Sequence, residues 1–295
     1  MPELPEVETV RAGLANLVTS SRIDRAEVFH PRAARNNAGG ATEVSAALRG
    51  RGIVSVERRG KFLWLVLSPG DDALLVHLGM SGQMLIKDPG AGADDPNRRH
   101  LRARAVLEDG REVWFVDQRT FGYWNTGPLV EGRATTPGRT SRRVPLRVAH
   151  IAPDLLETDL DPDDSLVRAL KSRDTEIKRL LLAQDLVSGV GNIYADEMLW
   201  RARVHPRQRA ARMSSRRIGE LLCAGSEVMR EALVQGGTSF DALYVNVNGD
   251  SVYFDRSLMV YGRAGKECPR CGFTIQREHF MNRSSHFCGN CQRRY

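Results

Sequence analysis

Near the amino terminus Val7, Val10, Leu14 and Leu17 recur at three- and four-residue spacing just after Pro5. Proline is tolerated in a first helical turn, so the pattern predicts a short amphipathic helix. From about residue 22 to 124 the texture changes to short apolar runs bounded by Gly, Asp and Pro: AEVF, GIVSVERR, KFLWLVL, ALLVHLGM, LRARAVLE and EVWFVD. These read as the strands of a β-sandwich or barrel. Past about 150 the helical period returns, with segments near 163–171, 174–185, 191–202 and 214–235. A Gly-Gly turn, a hairpin-like stretch and a cysteine-rich module follow. Two polar stretches interrupt the pattern: 87–99 reads as a surface loop and 130–143 as an interdomain linker. The expectation is an α+β chain with a β-rich domain at 1–135, a helical domain at 150–262 and a small module at 263–295.

Composition narrows the classes. A chain of 295 residues exceeds one ordinary core, consistent with two domains and an appendage. The formal charge of +7 and a pI near 9.4 favour a polyanionic partner without naming one. No run of about 18 apolar residues occurs, and the opening MPELPEVETV lacks the basic flank and apolar stretch of a signal peptide. A soluble cytoplasmic protein with no membrane partner is expected. Of the five cysteines, Cys223 falls inside a helical pattern and is expected to be an inert core thiol.

The other four form Cys268-x2-Cys271-x16-Cys288-x2-Cys291, the spacing of a structural four-cysteine zinc site. The surrounding stretch has too few apolar side chains to fold without a metal, so one structural Zn²⁺ is implied. Arg263, Lys266, Arg270, Arg277, Arg283, Arg293 and Arg294 crowd this module, as suits a finger that binds phosphate.

The amino end carries a second chemical signal. Initiator methionine before proline is normally removed, which makes Pro2 a secondary amine that titrates near pH 8. Such an amine can attack an electrophilic sugar C1′ and form an iminium. Glu3 and Glu6 flank it, one suited to protonating a departing oxygen or base and the other to holding the sugar. Taken alone, both glutamates are equally first-turn residues that a helix dipole favours.

The third signal is SGVGNIYADE at 188–197, two glycines directly before a helix that starts near Asn192. Glycines let backbone N–H groups and a helix amino end approach an anion. Arg173, Lys178 and Arg179 on the preceding segment add weight to phosphate over a plain interhelical turn, as in a helix-turn-helix variant that grips the backbone.

Several blocks then fall together: PELPEVETV, RRGK (58–61), VHLGMSGQ (76–83), DQRTFG (117–122), GVGNIYADE, GGTSFD (236–241), YVNVNGDS (244–251) and VYGR (260–263) before the cysteines. In this order, over essentially the whole chain, they resemble the formamidopyrimidine-DNA glycosylase family. The resemblance implies a β-sandwich domain, a helix-two-turn-helix domain and a C-terminal hairpin zinc finger. It implies removal of oxidised purines from damaged double-stranded DNA and nicking of the abasic strand by β,δ-elimination, by a monomer in the bacterial cytoplasm at the nucleoid.

Site roles follow from the same resemblance. Pro2 matches the nucleophile, Glu3 the proton donor, and Glu6 a supporting group. Lys61 matches the β-elimination residue and Arg283 the finger residue for δ-elimination and phosphate contact. Met80, Arg119 and Phe121 match the wedge that fills the gap left by a flipped nucleotide. His77, Arg173, Lys178 and Asn192 match phosphate ligands. A further DNA contact falls at Arg98 or His100, beside the departure at 87–99, and residues 245–249 match a lid over the damaged base. Two alternatives stand beside this reading. A non-catalytic damage-binding protein of the same fold would not need Pro2 and Glu3, and glycosylases of oxidised pyrimidines related to endonuclease VIII usually lack the PELPE and HLGMSG blocks.

Overall fold

The computed structural model describes residues 2–90, 94–133, 142–157, 165–235 and 258–294. Helix α1 (Leu4–Val18) is followed by β1 (Ile23–Val28), α2 (Gly40–Leu48), β2 (Gly52–Arg59), β3 (Phe62–Ser68), β4 (Asp72–His77) and β5 (Gly82–Lys87). Strands β6 (Leu101–Leu107), β7 (Glu112–Asp117), β8 (Tyr123–Glu131) and β9 (Arg143–Pro145) complete the first half. The second half contains α3 (Ser165–Lys171), α4 (Ile177–Leu182), α5 (Asn192–Arg201), α6 (Ser215–Val234) and the hairpin β10 (Ile275–Phe280) and β11 (Arg283–Cys288).

Two antiparallel sheets form the sandwich, in the orders β1-β6-β7-β5 and β2-β3-β4-β8-β9. Alternating apolar positions from both sheets meet in one cluster that includes Ile23, Leu63, Leu65, Leu74, Val76, Met84, Ala105, Phe115 and Trp124. Val7, Val10, Leu14 and Val18 of α1 and Val44 and Leu48 of α2 close that core. The predicted stripe on α1 is therefore real, with Val18 rather than Leu17 fully buried at its end. Helix α2 and strands β5, β8 and β9 were absent from the sequence reading, because their apolar residues are few or interrupted by Gly and Pro.

The stretch 130–143 differs from its reading as an interdomain linker. Its two ends pair with each other, Val130 with Val144 and Glu131 with Arg143, so the chain leaves and re-enters the same sheet.

Among the described residues, the second compact unit holds 133, 150–157, 165–235 and 258–294. The cysteine hairpin shares a core with the helices: Trp200 packs with Val260, Cys268, Ile275 and Cys288. Cys223 lies on α6 but is exposed, contrary to its reading as a core thiol, because it falls on the polar face of that helix. Among the described residues no helix is long and apolar enough to cross a membrane.

Candidate active site and nucleic-acid interface

Helix α1 places the amino-terminal chemistry. Pro2, Glu3 and Glu6 are all buried. Glu3 stands at the N-cap and Glu6 three residues on completes a capping box, with Glu6 Oε2 accepting Glu3 N–H at 2.8 Å. Glu6 thus holds the peptide immediately after Pro2. One turn further along, Glu8 accepts Arg11 Nε at 2.9 Å and the buried Arg58 Nε at 2.8 Å. Burial opposes the charge on Glu8, but the two guanidiniums keep its carboxyl below the ordinary value. Arg58 also donates to Gly60 O at 3.1 Å. A single ion-pair network therefore ties α1 to the two-residue β2–β3 turn, Gly60–Lys61, that presents Lys61.

The other sequence-predicted residues of this unit gather at one end of the sandwich. Met80 lies between β4 and β5, Arg119 and Phe121 between β7 and β8, and the side chains of Met80 and Phe121 are 39% and 45% exposed. Both therefore present apolar surface to solvent at adjoining loops. The two loops approach closely at Gly79: a Cβ there, where φ is 63°, would meet Gly122 N at 2.5 Å and Phe121 C at 2.6 Å. Only glycine permits that approach.

A buried carboxylate organises both loops. Asp117 Oδ1 accepts Ser81 Oγ at 2.7 Å and Arg119 N–H at 3.1 Å, and Oδ2 accepts Gly122 N–H at 2.7 Å. Arg102 Nε donates to Asp117 O at 2.8 Å, which brings the turn Arg98–His100 to the same end. Arg98 is exposed, and His100 Nδ1 lies 3.4 Å from Arg102.

His77 ends β4 between two rings, 4.9 Å from Phe62 and 5.3 Å from Tyr123. Its Nδ1 accepts Gly79 N–H at 3.2 Å. Burial, aided by Arg35 and Lys61, lowers its pKa from 6.5 to about 4. The ring is neutral at physiological pH, its proton on Nε2, and it offers a donor without a charge.

In the helical unit the turn before α5 is stapled by Gln184, which accepts Gly189 N–H at 2.9 Å and donates to Val190 O at 2.8 Å. Asn192 then opens α5 and donates to Ser284 O at 2.8 Å. Its buried Oδ1 has no hydrogen-bond partner. Arg283 is exposed at the hairpin tip, paired with Phe280 across Met281 and Asn282. Both of these turn residues have positive φ, 48° and 60°, as a type I′ hairpin requires. The Asn192–Ser284 bond therefore joins the helix amino end to the residue beside Arg283. Arg173 is exposed, 3.9 Å from Asp185.

Lys178 corrects the sequence reading. It has no accessible surface and its Nζ sits 2.6 Å from the equally buried Asp196, so it does not reach a phosphate. Asp196 also accepts Ser285 Oγ at 3.1 Å and His286 N–H at 2.8 Å. The pair instead docks β11 against α5.

The four cysteine sulfurs lie within 4.8 Å of one another, with separations of 3.4 Å for Cys271–Cys291, 3.5 Å for Cys271–Cys288 and 4.0 Å for Cys268–Cys291. Tetrahedral thiolates at a Zn–S distance of about 2.3 Å stand roughly 3.8 Å apart, so the quartet fits that ion. Hydrogen bonds from Asn290 and the Phe273 backbone favour the Cys271 thiolate, at about 6.

Residues 1–124 match the formamidopyrimidine-DNA glycosylase N-terminal domain, residues 151–242 the formamidopyrimidine-DNA glycosylase H2TH domain, and residues 265–294 a zinc finger found in FPG and IleRS. A formamidopyrimidine-DNA glycosylase of Corynebacterium efficiens is 59% identical over 99% of both chains. This chain belongs to the formamidopyrimidine-DNA glycosylase family. Its fold matches Lactococcus lactis Fpg in complex with DNA containing an abasic site, with a TM-score of 0.80 and 29% identity over 99% of this chain and 100% of that one. The same enzyme bound to DNA containing Fapy-dG matches equally, with a TM-score of 0.80, 29% identity and the same coverage. Within this family fold, sequence reasoning missed Arg35, Asp117 and Glu8. Asp117 lay inside the DQRTFG block, and that was its only signal. The loop 245–249 lies outside the described residues.

Proposed function

We propose that this chain is a bifunctional DNA glycosylase and abasic-site lyase that excises oxidised purines, formamidopyrimidines and 8-oxoguanine, from damaged duplex DNA in base excision repair. The observation that carries the reading is the buried capping box behind Pro2, in a chain that matches a formamidopyrimidine-DNA glycosylase end to end. With Met1 removed, the Pro2 nitrogen attacks C1′ of the damaged nucleotide. The N-glycosidic electron pair leaves with the base; the C1′–O4′ bond then breaks as the nitrogen lone pair forms the iminium that links protein to sugar, and O4′ takes the proton. Glu3 supplies the proton, while Glu6 fixes the direction of the amine through the Glu3 N–H. Lys61 serves β-elimination and Arg283 δ-elimination at the adjacent phosphates.

Asn192, the amino end of α5, Arg283, Arg173 and neutral His77 are assigned to the phosphate backbone. Met80, Arg119 and Phe121 are assigned to the gap left by the extruded nucleotide. A single Zn²⁺ held by Cys268, Cys271, Cys288 and Cys291 folds the finger, and one chain suffices for one lesion.

Borohydride trapping on duplexes carrying single lesions tests this. A covalent adduct with oxidised-purine duplexes and with abasic DNA is expected. Pro2→Gly should keep only a fraction of the activity, because a primary amine still forms a Schiff base, and Glu3→Gln should slow base removal by roughly 10²–10⁴-fold. A protein with a retained amino-terminal tag that traps and cleaves at the full rate would refute the assignment, and preferential excision of oxidised pyrimidines would move the substrate class.

A further inference from the structure

Arg35 follows the short turn Pro31–Ala34 and lies 86 residues from Phe121 in sequence, yet its guanidinium closes on the Phe121 loop. One terminal nitrogen donates to Gly122 O at 2.8 Å and to Arg32 O at 2.6 Å, and the other donates to Phe121 O at 2.7 Å. Its plane covers the Tyr123 ring at 4.7 Å, and Tyr123 stacks in turn on His77. On the opposite side the Asp117 carboxylate holds the N–H groups of Arg119 and Gly122. Gly122 is thus gripped by its N–H from the carboxylate and by its C=O from the guanidinium.

We infer that Arg35 is a positioning residue for nucleotide extrusion: with Asp117 it clamps the loop so that Phe121 stands out of the fold in one orientation. The inference rests on the wedge reading of Phe121. An aromatic residue 45% exposed to water has less packing to fix it than a core ring, so its direction depends more on the backbone beneath it. Captured donors and acceptors on both sides supply that rigidity before DNA arrives, which removes an ordering cost from the extrusion step. Three of the five guanidinium N–H groups are spent on carbonyls inside the fold, which favours positioning over direct phosphate contact. A lysine has no planar fork to bridge two carbonyls and stack on tyrosine at once.

The test compares Arg35→Ala, Arg35→Lys, Phe121→Ala and the Arg35→Ala/Phe121→Ala double variant. Each is assayed on a paired duplex with one oxidised purine and on a preformed abasic duplex. 2-Aminopurine next to the lesion reports extrusion, and thermal melting checks the fold, which an exposed Arg35 should leave intact. Arg35→Ala should slow extrusion and base removal about tenfold while abasic cleavage stays within about twofold. Arg35→Lys should recover little, and the double variant should be no slower than Phe121→Ala alone.

If Phe121→Ala shows the split between substrates and Arg35→Ala behaves as wild type, this inference alone fails. If Phe121→Ala shows no split, the wedge reading fails and takes the inference with it. Equal losses on both substrates with a shallower salt dependence would make Arg35 a phosphate contact instead.

Discussion

The two compact units hold their functional groups by different means. In the sandwich, Lys61, Met80, Arg119 and Phe121 stand on turns between strands whose apolar faces fill one large shared core, and buried or half-buried carboxylates, Asp117 and Glu8, capture the groups that shape those turns. In the helical unit, Asn192 and Arg283 depend on a hairpin that brings little apolar surface of its own. That hairpin is held by the cluster of four cysteine sulfurs, the Lys178–Asp196 pair and the small cluster around Trp200. A core of many side chains distributes its stability, whereas one four-sulfur cluster and one ion pair concentrate it. The same functional geometry should therefore fail gradually in the sandwich and abruptly in the helical unit.

Metal removal tests that contrast most severely. Chelation or Cys268→Ser should unfold the hairpin, because site formation and folding are one event, and DNA affinity should fall by about 100-fold or more as Arg283 and the Ser284 anchor are lost. Trp200 donates to Cys268 Sγ at 3.4 Å, so its fluorescence should change. Trp64, Trp114 and Trp124, buried in the sandwich, should keep theirs. A metal-free protein with native affinity and unaltered fluorescence would remove the distinction between the units.

A smaller effect is expected from Lys178→Met. Breaking a fully buried ion pair leaves the Asp196 charge without its cation and should cost about 3–5 kcal/mol, measured by denaturant unfolding of the helical unit. The dependence of residual DNA affinity on salt should be unchanged, because no phosphate contact is lost. Arg283→Ala should instead lower the slope of log K against log salt by about one, with stability intact. A reduced slope in Lys178→Met would restore it to the phosphate ligands.

His77 gives the mildest test. Its folded pKa of about 4 lies below the unfolded value of 6.5, so the folded state binds the proton less readily. The stability it contributes is complete above pH 6.5 and is lost as pH falls through 4, by no more than about 3 kcal/mol. His77→Gln should flatten that part of the stability curve in the sandwich and leave the salt slope of binding unchanged. An unchanged acid limb would show that His77 is not held neutral.

Periodicity and block motifs carry a definite share of this architecture. The stripe on α1, the runs of β2, β3, β4, β6 and β7 and the four late helices were legible because each buries one face in a core, and burial imposes a repeat of 3.6 or 2 on apolar positions. The cysteine quartet was legible because a metal restricts ligand type and spacing. Strands β8 and β9 were hidden behind Gly, Pro and Arg, since their pairing rests on backbone hydrogen bonds that leave no mark on side-chain type.

Most strands of the sandwich, the described helices other than α2, the finger and the residue types of the chemistry were thus determined by local sequence. Tertiary structure alone decided which charges face outward and which are consumed inside. Lys178 and Arg173 look alike in sequence, yet Asp196 buries one and water keeps the other. Arg35 and Phe121, far apart in the chain, become one device because two carbonyls and a guanidinium fork meet. The physical reason is that burial and hydrogen-bond capture depend on partners brought from elsewhere in the chain, and a local pattern does not encode distant partners.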